Sequence, residues 1–196
     1  YKGWWDKPQH NLSKVILTPI GSDATRVAAL LSGEVDMMYP VPVQDQKRVN
    51  ANAGTTVMVG PELRTIFLGF NQTADELACS EVKGKNPFKD QRVRLAMYKG
   101  INIDVIKKKI MRGLSDPTSI MISPKLLDYD ISDIPRYPYD PKGAKALLAE
   151  AGYPDGFSTC MDCPNNRYVN DEQICQAAVS MLAKIGIKIK LKAQPK

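Results

Sequence analysis

A ten-residue segment from Cys163 to Glu172 holds the densest group of polar side chains that could bind a small molecule. Its candidate binding residues are Asn165, Asn166, Arg167 and Tyr168. Amide and guanidinium groups can hold a carboxylate, an amide or a sugar hydroxyl through directed hydrogen bonds, and a tyrosine ring can stack on a ligand. In a structural interpretation, Asn170 or Asp171 instead caps the following helix and Arg167 pairs with Glu172. The sequence leaves both interpretations open.

A second candidate for ligand contact is Asn71, which closes a β-rich run at residues 64–71. Gly69 in that run permits the close approach of a ligand or of another backbone, and the Asn71 amide can both donate and accept. The alternative is that Gly69 and Asn71 only shape the turn at which the strand ends. Asn71 is therefore a predicted ligand-binding residue with a competing structural explanation.

Four cysteines stand at positions 79, 160, 163 and 175. Cys160 and Cys163 have the spacing of a redox or zinc half-site, but they lie on a predicted strand, precede a proline and lack a second pair of ligands. An alternating strand points these two side chains to opposite faces, and Cys175 lies one turn into the next helix. We therefore predict a Cys163–Cys175 disulfide, which implies an oxidising compartment, and no metal site. The pairing of Cys79 and Cys160 stays open.

The sequence lacks the patterns that catalysis requires. It has no nucleophile elbow, no phosphate-binding loop and no pair of catalytic carboxylates beside a base. Its sole histidine, His10, lies in a polar lead-in. We therefore predict a protein that is not an enzyme and needs no cofactor.

The formal charge of +6 is concentrated in one stretch, because residues 83–112 contain ten Lys or Arg and only two acidic residues, Asp90 and Asp104. This basic 83–112 face could bind an anionic partner, and an interaction domain of that kind is the alternative function. No nucleic-acid motif or interleaved aromatic pattern accompanies the charge, so no nucleic-acid partner is predicted. The apolar runs, such as residues 27–31, fall far short of the roughly 20 residues that cross a bilayer.

Alternating strands and helices position these candidate residues. The predicted strands are residues 15–20, 35–39, 55–59, 64–71, 157–163 and 187–192. The predicted helices lie after Asp23, at 43–52, after Asp90, at 105–112 with Asp104 as the cap, after Asp140, and after Asp171. Residues 114–139 form a long irregular tract with four prolines. The strand, helix and strand at the end of the chain indicate a crossover in a sheet, so the predicted fold class is α/β.

Several runs together resemble one known family. These are Tyr1 to Trp5 with Lys14 to Ile16, Asp23 to Asp36, Arg64 to Asn71, Pro87 to Ala96 and Tyr139 to Tyr153. In this order they are similar to periplasmic solute-binding proteins of family 5, the peptide, oligopeptide and nickel class that serves ABC importers. Lys99-Gly100 and Cys79 depart from the family pattern.

The resemblance implies a two-lobed periplasmic-binding-protein fold of class II, the peptide-binding type, of which this chain would be an incomplete, internal portion. Residues 1–75 would belong to lobe one, 76–86 to the linker and 87–196 to the first part of lobe two. The protein would capture a peptide or a similar small polar solute, such as an opine, a sugar or a nickel complex, and deliver it to the permease subunits. It would be periplasmic, or extracellular and tethered to the membrane.

Overall fold

A computed structural model describes residues 3–7, 9–60, 62–123, 126 and 133–196 of the chain. Tyr1 and Lys2 of the family resemblance lie outside these residues, as does most of the stretch 124–132 of the irregular tract. The chain divides into two compact units, Tyr1–Val57 and Met58–Lys196. This division falls before residue 75, where lobe one is predicted to end. Compactness within this chain and membership of a lobe are different properties, so the lobe boundaries stay a prediction.

The first unit contains two helices, α1 (Asp23–Ser32) and α2 (Gln46–Ala51). The Ser22 hydroxyl accepts a hydrogen bond from the Thr25 N–H, and Gly33 ends α1 in the left-handed conformation at φ 77°. Both contacts satisfy backbone groups that a helix leaves unpaired at its ends, and the helix lies after residue 22, where the sequence predicts one. Val27 and Val49 are buried at 0% and 1% exposure.

The predicted strands at 15–20, 35–39, 55–59 and 64–71 are wrong for this structure, because none of these segments forms a strand. Residues 15, 16 and 17 are largely exposed, with Leu17 at 89%. Apolar β-branched residues favour an extended backbone, but a strand also needs a neighbour whose N–H and C=O groups complete the ladder. Within the described part of the chain these segments have no such neighbour.

The second unit begins its helical part with a 3-10 turn, Pro87–Lys89, which leads into α3 (Gln91–Gly100). The Asp90 carboxylate accepts the Arg92 N–H at 2.8 Å, so the predicted cap of α3 is confirmed. Gly100 lies at a close contact between α3 and Ile185, since a Cβ there would meet Ile185 Cδ1 at 2.8 Å. Close packing explains why glycine stands at this end of the helix.

The next helix starts as α4 (Ile103–Val105) and continues as a π-helix, Ile106–Ile110. Its cap is Asn102, whose side chain accepts the Val105 N–H at 3.1 Å, and the prediction of Asp104 in that role is wrong. The reason is the helix start, which lies two residues earlier than the apolar pattern indicates. Arg112 follows the π-helix with φ 50°, a conformation rare for a residue with a Cβ.

Two further helices complete the second unit. Helix α5 (Pro141–Glu150) has Asp140 as its cap and Pro141 at its first position, as predicted. Helix α6 (Asp171–Ala183) connects the two strands β1 (Phe157–Pro164) and β2 (Ile187–Gln194), which pair in parallel from Phe157 opposite Ile187 to Pro164 opposite Gln194. The predicted strand–helix–strand unit at the end of the chain is confirmed.

The core of the second unit lies where α3, α5 and α6 pack with the sheet. Its buried residues are Leu77, Phe88, Val93, Ala96, Met97, Ala144, Leu148, Tyr153, Phe157, Leu182, Ile185 and Ile187. The described helices include none long and apolar enough to cross a membrane. Phe157 and Ile187 begin the two strands, so the core lies at that end of the sheet, and the polar segment 164–170 follows the opposite end.

Candidate functional site

The predicted binding segment continues directly from the carboxyl end of β1. The Asn165 N–H donates to the Gln194 carbonyl at 3.2 Å, which extends the ladder by one residue. Asn166 Oδ1 accepts the Lys196 N–H at 3.0 Å. Ligands of open α/β sheets bind beyond the carboxyl ends of parallel strands, so this loop, residues 164–170, stands at a favourable position for a site.

Asp171 organises the loop through its carboxylate. Its Oδ2 accepts the backbone N–H groups of Arg167 at 2.9 Å and Tyr168 at 3.1 Å, and its Oδ1 accepts the Glu172 N–H at 2.9 Å. The residue is only 5% exposed, so these charge-assisted bonds satisfy a carboxylate removed from water. The backbone that carries Arg167 and Tyr168 is therefore fixed before any ligand binds.

Asn170 ties the loop to the π-helix. It has φ 55°, and its Nδ2 donates to the Ile110 carbonyl at 2.9 Å. Asn170 therefore sits at the cap position of α6 without a side-chain cap bond. The side-chain cap considered for Asn170 is therefore not formed, because its amide donates to a carbonyl of another helix.

Two arginines approach the ring of Tyr168. The guanidinium carbon of Arg167 lies 5.1 Å from the ring centroid, and that of Arg64 lies 5.6 Å from it. Arg167 Nε also donates to the Tyr168 hydroxyl at 2.6 Å, whereas the structural interpretation expected it to pair with Glu172. Arg167 and Tyr168 are predicted from the sequence, whereas Arg64 is not, because it is remote from them along the chain.

Both pairs of cysteines form disulfides. The predicted Cys163–Cys175 bridge is confirmed, and it spans the loop from the end of β1 to the first turns of α6. Cys79 and Cys160, whose pairing the sequence left open, form the second bridge. The Cys160-x-x-Cys163 pair therefore serves two separate bridges and is not a redox or zinc half-site. In the described residues no group of three His, Cys, Asp or Glu could hold a metal ion.

The Cys79–Cys160 bridge belongs to a larger attachment of residues 79–82 to β1. Ser80 Oγ donates to the Ser158 carbonyl at 2.9 Å, and the Ser158 N–H donates to Glu81 Oε1 at 2.7 Å. Hydrogen bonds from the side chain and the backbone of Ser158 hold the pKa of the Glu81 carboxyl below its usual range. Part of the predicted linker is thus fastened to the strand that carries the loop.

Asn71 does not meet the loop in the part of the chain that the structure describes. Its Oδ1 accepts the N–H groups of Thr73 and Ala74, both at 3.1 Å, and its carbonyl accepts Asn86 Nδ2 at 2.9 Å. The structure thus shows Asn71 shaping the exit turn. A role for Asn71 in ligand contact stays a prediction.

The basic 83–112 face is largely occupied by local contacts. Seven of its ten cationic side chains bind acidic side chains, carbonyls or a ring. These are Lys83, Lys85, Lys89, Arg92, Arg94, Lys99 and Lys107. Most of the cationic side chains of this face therefore have a local partner within the second unit, and its role as a surface for an anionic partner stays a prediction.

Comparison with known proteins finds several binding proteins that are similar to this chain. The glutathione-binding protein GsiB of Pectobacterium atrosepticum is 28% identical over 98% of this chain, which spans 35% of that protein. The periplasmic binding protein DppA of Helicobacter pylori, solved with the peptide STSA, matches 90% of this chain and 31% of its own with TM-score 0.68 and 27% identity. The binding protein AgaA of A. tumefaciens R10, solved with agropinic acid, matches 90% of this chain and 33% of its own with TM-score 0.64 and 28% identity.

These likenesses and the loop beyond the parallel strands define the class of periplasmic binding proteins of class II, the peptide-binding type, of which this chain covers part. The chain belongs to family 5 of the bacterial extracellular solute-binding proteins, whose middle portion matches residues 1–196. The family and the fold class expected from the sequence are thereby confirmed. The chain spans about a third of the length of the curated relatives it matches.

Proposed function

We propose that this chain is part of the solute-binding component of an ABC importer, which captures a peptide or a similar small polar solute and delivers it to membrane permease subunits. The observation that carries the proposal is loop 164–170, which presents an amide-rich, cationic segment beyond β1 on a backbone fixed by Asp171 and the Cys163–Cys175 bridge. A binding site benefits from such order because less freedom is lost when the ligand binds. The protein would act by binding and would catalyse no reaction.

The ligand-binding residues in this proposal are Asn165, Asn166, Arg167 and Tyr168, with Asn71 as a further candidate at the exit of lobe one. Peptides, glutathione and agropinic acid, which the relatives are named for or solved with, set the range of solutes to test. The two disulfides suit a periplasmic location, where oxidised cysteines persist. Closure of the two predicted lobes, 1–75 and 87–196, around the solute would give the permease its signal.

A thermal-shift screen tests the proposal. The melting temperature of the full-length gene product that contains this chain is measured with each of five compounds. They are the peptide Ser-Thr-Ser-Ala, glutathione, agropinic acid, maltotriose and Ni²⁺. We expect at least one of them to raise the melting temperature, because a ligand at 100 times its Kd stabilises the folded state by about 2.7 kcal/mol.

The variant Arg167→Ala serves as the site control and should reduce that shift. Heparin serves as the polyanion control for the basic 83–112 face. A shift with heparin alone, lost as salt rises, would reject solute capture and favour the anionic partner.

A further inference from the structure

We propose that Arg64 is a ligand-binding residue and that it makes the site specific for small solutes with two carboxylates. Arg64 would hold the second carboxylate while loop 164–170 holds the first. This inference rests on the proposed function and adds to it the chemical class of the solute. Its starting point is the approach of Arg64 and Arg167 to one tyrosine ring.

The two guanidinium groups lie close enough to act on one small molecule. Their carbons are 5.6 Å and 5.1 Å from the centroid of Tyr168, so they lie within about 11 Å of one another. A short solute with a carboxylate at each end has this reach, since an extended chain spans about 3.3–3.6 Å per residue. Both cations approach the Tyr168 ring, so a solute bound by either arginine would lie beside that ring.

Both arginines keep hydrogen-bonding capacity for a ligand. Arg167 donates its Nε–H to the Tyr168 hydroxyl, and Arg64 forms an ion pair with Glu62, with 3.0 Å between Nε and Oε1. Each guanidinium has four further N–H donors on its terminal nitrogens, in the planar arrangement that matches the two oxygens of a carboxylate. In each case the Nε contact orients the group whose terminal nitrogens would bind the ligand.

The Arg64–Glu62 ion pair does not prevent this role. The side chains of Arg64 and Glu62 are 51% and 52% exposed, and an exposed pair contributes only about 0–1 kcal/mol. A ligand carboxylate bound by the terminal nitrogens of Arg64 would also lie near the second cation, Arg167, and would compete with this weak pair. Glu62 therefore acts as a weak competitor, whose removal should favour the ligand.

Arg64 and loop 164–170 belong to different predicted lobes. It lies in the segment 64–71 that the sequence assigns to lobe one, whereas Tyr168 and Arg167 lie in the segment assigned to lobe two. All three residues lie in the compact unit Met58–Lys196. Their contact therefore brings together residues from the two sides between which a two-lobed protein would hold its solute.

Isothermal titration calorimetry on the full-length gene product tests the inference with defined probes. Glutathione carries two carboxylates, whereas its glycine monoethyl ester and the peptide Ser-Thr-Ser-Ala carry one each. We expect glutathione to bind most tightly. The Arg64→Gln variant should bind glutathione about 10- to 100-fold more weakly, which is the range for losing hydrogen bonds to a charged group. The variant should no longer distinguish glutathione from its monoester.

Arg136→Gln is the matched control, because Arg136 also lies over a tyrosine ring, at 4.5 Å from the centroid of Tyr98, but contacts Thr118 and not loop 164–170. It should leave the affinity for glutathione unchanged. Glu62→Gln is a second variant that removes the competitor, and we expect up to about 5-fold tighter binding. Melting curves of all variants identify any loss of folding.

Three outcomes separate the inference from the proposed function. Selective loss of glutathione binding in Arg64→Gln supports both. Equal affinity for one-carboxylate and two-carboxylate probes, or no effect of Arg64→Gln, overturns the role of Arg64 and leaves solute capture standing. If glutathione, its monoester and the peptide all fail to bind the unchanged protein, the dicarboxylate specificity is overturned, and the wider thermal-shift panel then decides solute capture by itself.

Discussion

At the scale of single residues, Asp171 has the strongest structural role in the candidate site. It is buried and accepts three backbone N–H groups, two of them from the residues that would contact the ligand. Removing its carboxylate leaves the N–H groups of Arg167 and Tyr168 without their acceptor. We predict that Asp171→Ala lowers the free energy of unfolding by about 1.5–3 kcal/mol, measured by urea denaturation.

Two further variants make that measurement specific. Asp171→Asn keeps acceptor oxygen without the charge, so it should cost less than alanine. Asp162→Ala removes an exposed carboxylate of β1, whose distance to Lys192 is 3.8 Å, and should change stability by less than about 0.5 kcal/mol. Equal losses for Asp171→Ala and Asp162→Ala would show that the three hydrogen bonds do not hold the loop.

The sequence could predict the loop residues but not their partners. Asn165 to Tyr168 are contiguous, so their polar character is visible as one run. Arg64 is about a hundred residues away and belongs to an apolar run that predicts a strand, so only the folded chain brings it to Tyr168. The Cys163–Cys175 bridge could be predicted because strand alternation and helix position fix both ends, whereas nothing local relates Cys79 to Cys160.

At the scale of elements, two glycines that end different turns provide a matched comparison. Gly156 (φ 77°) and Gly152 (φ 88°) both have the left-handed backbone that disfavours a side chain. A Cβ on Gly156 would lie 1.9 Å from the Gly186 carbonyl oxygen, whereas a Cβ on Gly152 would meet nothing within 4 Å. That carbonyl accepts the Phe157 N–H at 3.2 Å at the start of the sheet, so it cannot move without breaking the first pairing of β1 and β2.

We predict that Gly152→Ala costs about 1–2 kcal/mol, the penalty of the left-handed conformation alone. Gly156→Ala adds a backbone clash and should cost at least about 3 kcal/mol or prevent folding. Guanidinium denaturation and the yield of folded protein measure the difference. Similar losses for the two variants would mean that β1 and β2 separate easily at this point.

The helix caps make stability depend on pH. The N–H of Gly143, first, and the Lys99 side chain hold the pKa of the Asp140 carboxyl below its usual range. The Arg92 side chain does the same for the pKa of Asp90 at the start of α3. A carboxyl with a lowered pKa in the folded state stabilises the fold above its ordinary value of about 3.9 and loses that contribution as the pH falls through the lowered value.

We therefore predict that the melting temperature falls as the pH is lowered from about 5 to 2. Asp140→Asn keeps an acceptor for the Gly143 N–H but cannot titrate, so its melting temperature should fall less over that interval. Lys99→Gln, which removes only the ion pair, should lie between this variant and the unchanged protein. An identical acid dependence in all three proteins would exclude Asp140 as a contributor.

Local signals were sufficient for most helices and insufficient for the early strands. Asp90 and Asp140 could be predicted as caps because the residues that bind them lie within three positions along the chain. The role of Asn102 as a cap was not predicted, because the helix starts at Ile103, two residues earlier than the apolar pattern indicates. The segments 15–20 and 64–71 have the composition of strands, but pairing depends on residues that are distant in sequence, and composition does not specify them.

At the scale of the whole molecule, residues 79–82 limit where two predicted lobes could move. The Cys79–Cys160 bridge and the bonds between Glu81 and Ser158 join these residues to β1, which belongs to the predicted lobe two. Bending between lobes would then occur before Cys79. Leu77, two residues earlier, is buried in the core of the same unit, so most of the predicted linker 76–86 is expected to move together with β1.

The two disulfides should differ in what they contribute to stability and to ligand binding. Cys79 and Cys160 are 81 residues apart, whereas Cys163 and Cys175 are 12 apart. Because a cross-link restricts the unfolded chain more when it closes a longer loop, removing the first bridge should cost about 4–5 kcal/mol and removing the second about 3 kcal/mol. The shorter bridge, however, spans loop 164–170, so its loss should weaken ligand binding more. Double alanine variants at each pair, compared by guanidinium denaturation and by titration with glutathione, would then rank in opposite orders. The same order in both measurements would mean that the binding loop depends on the stability of the whole unit and not on its own bridge.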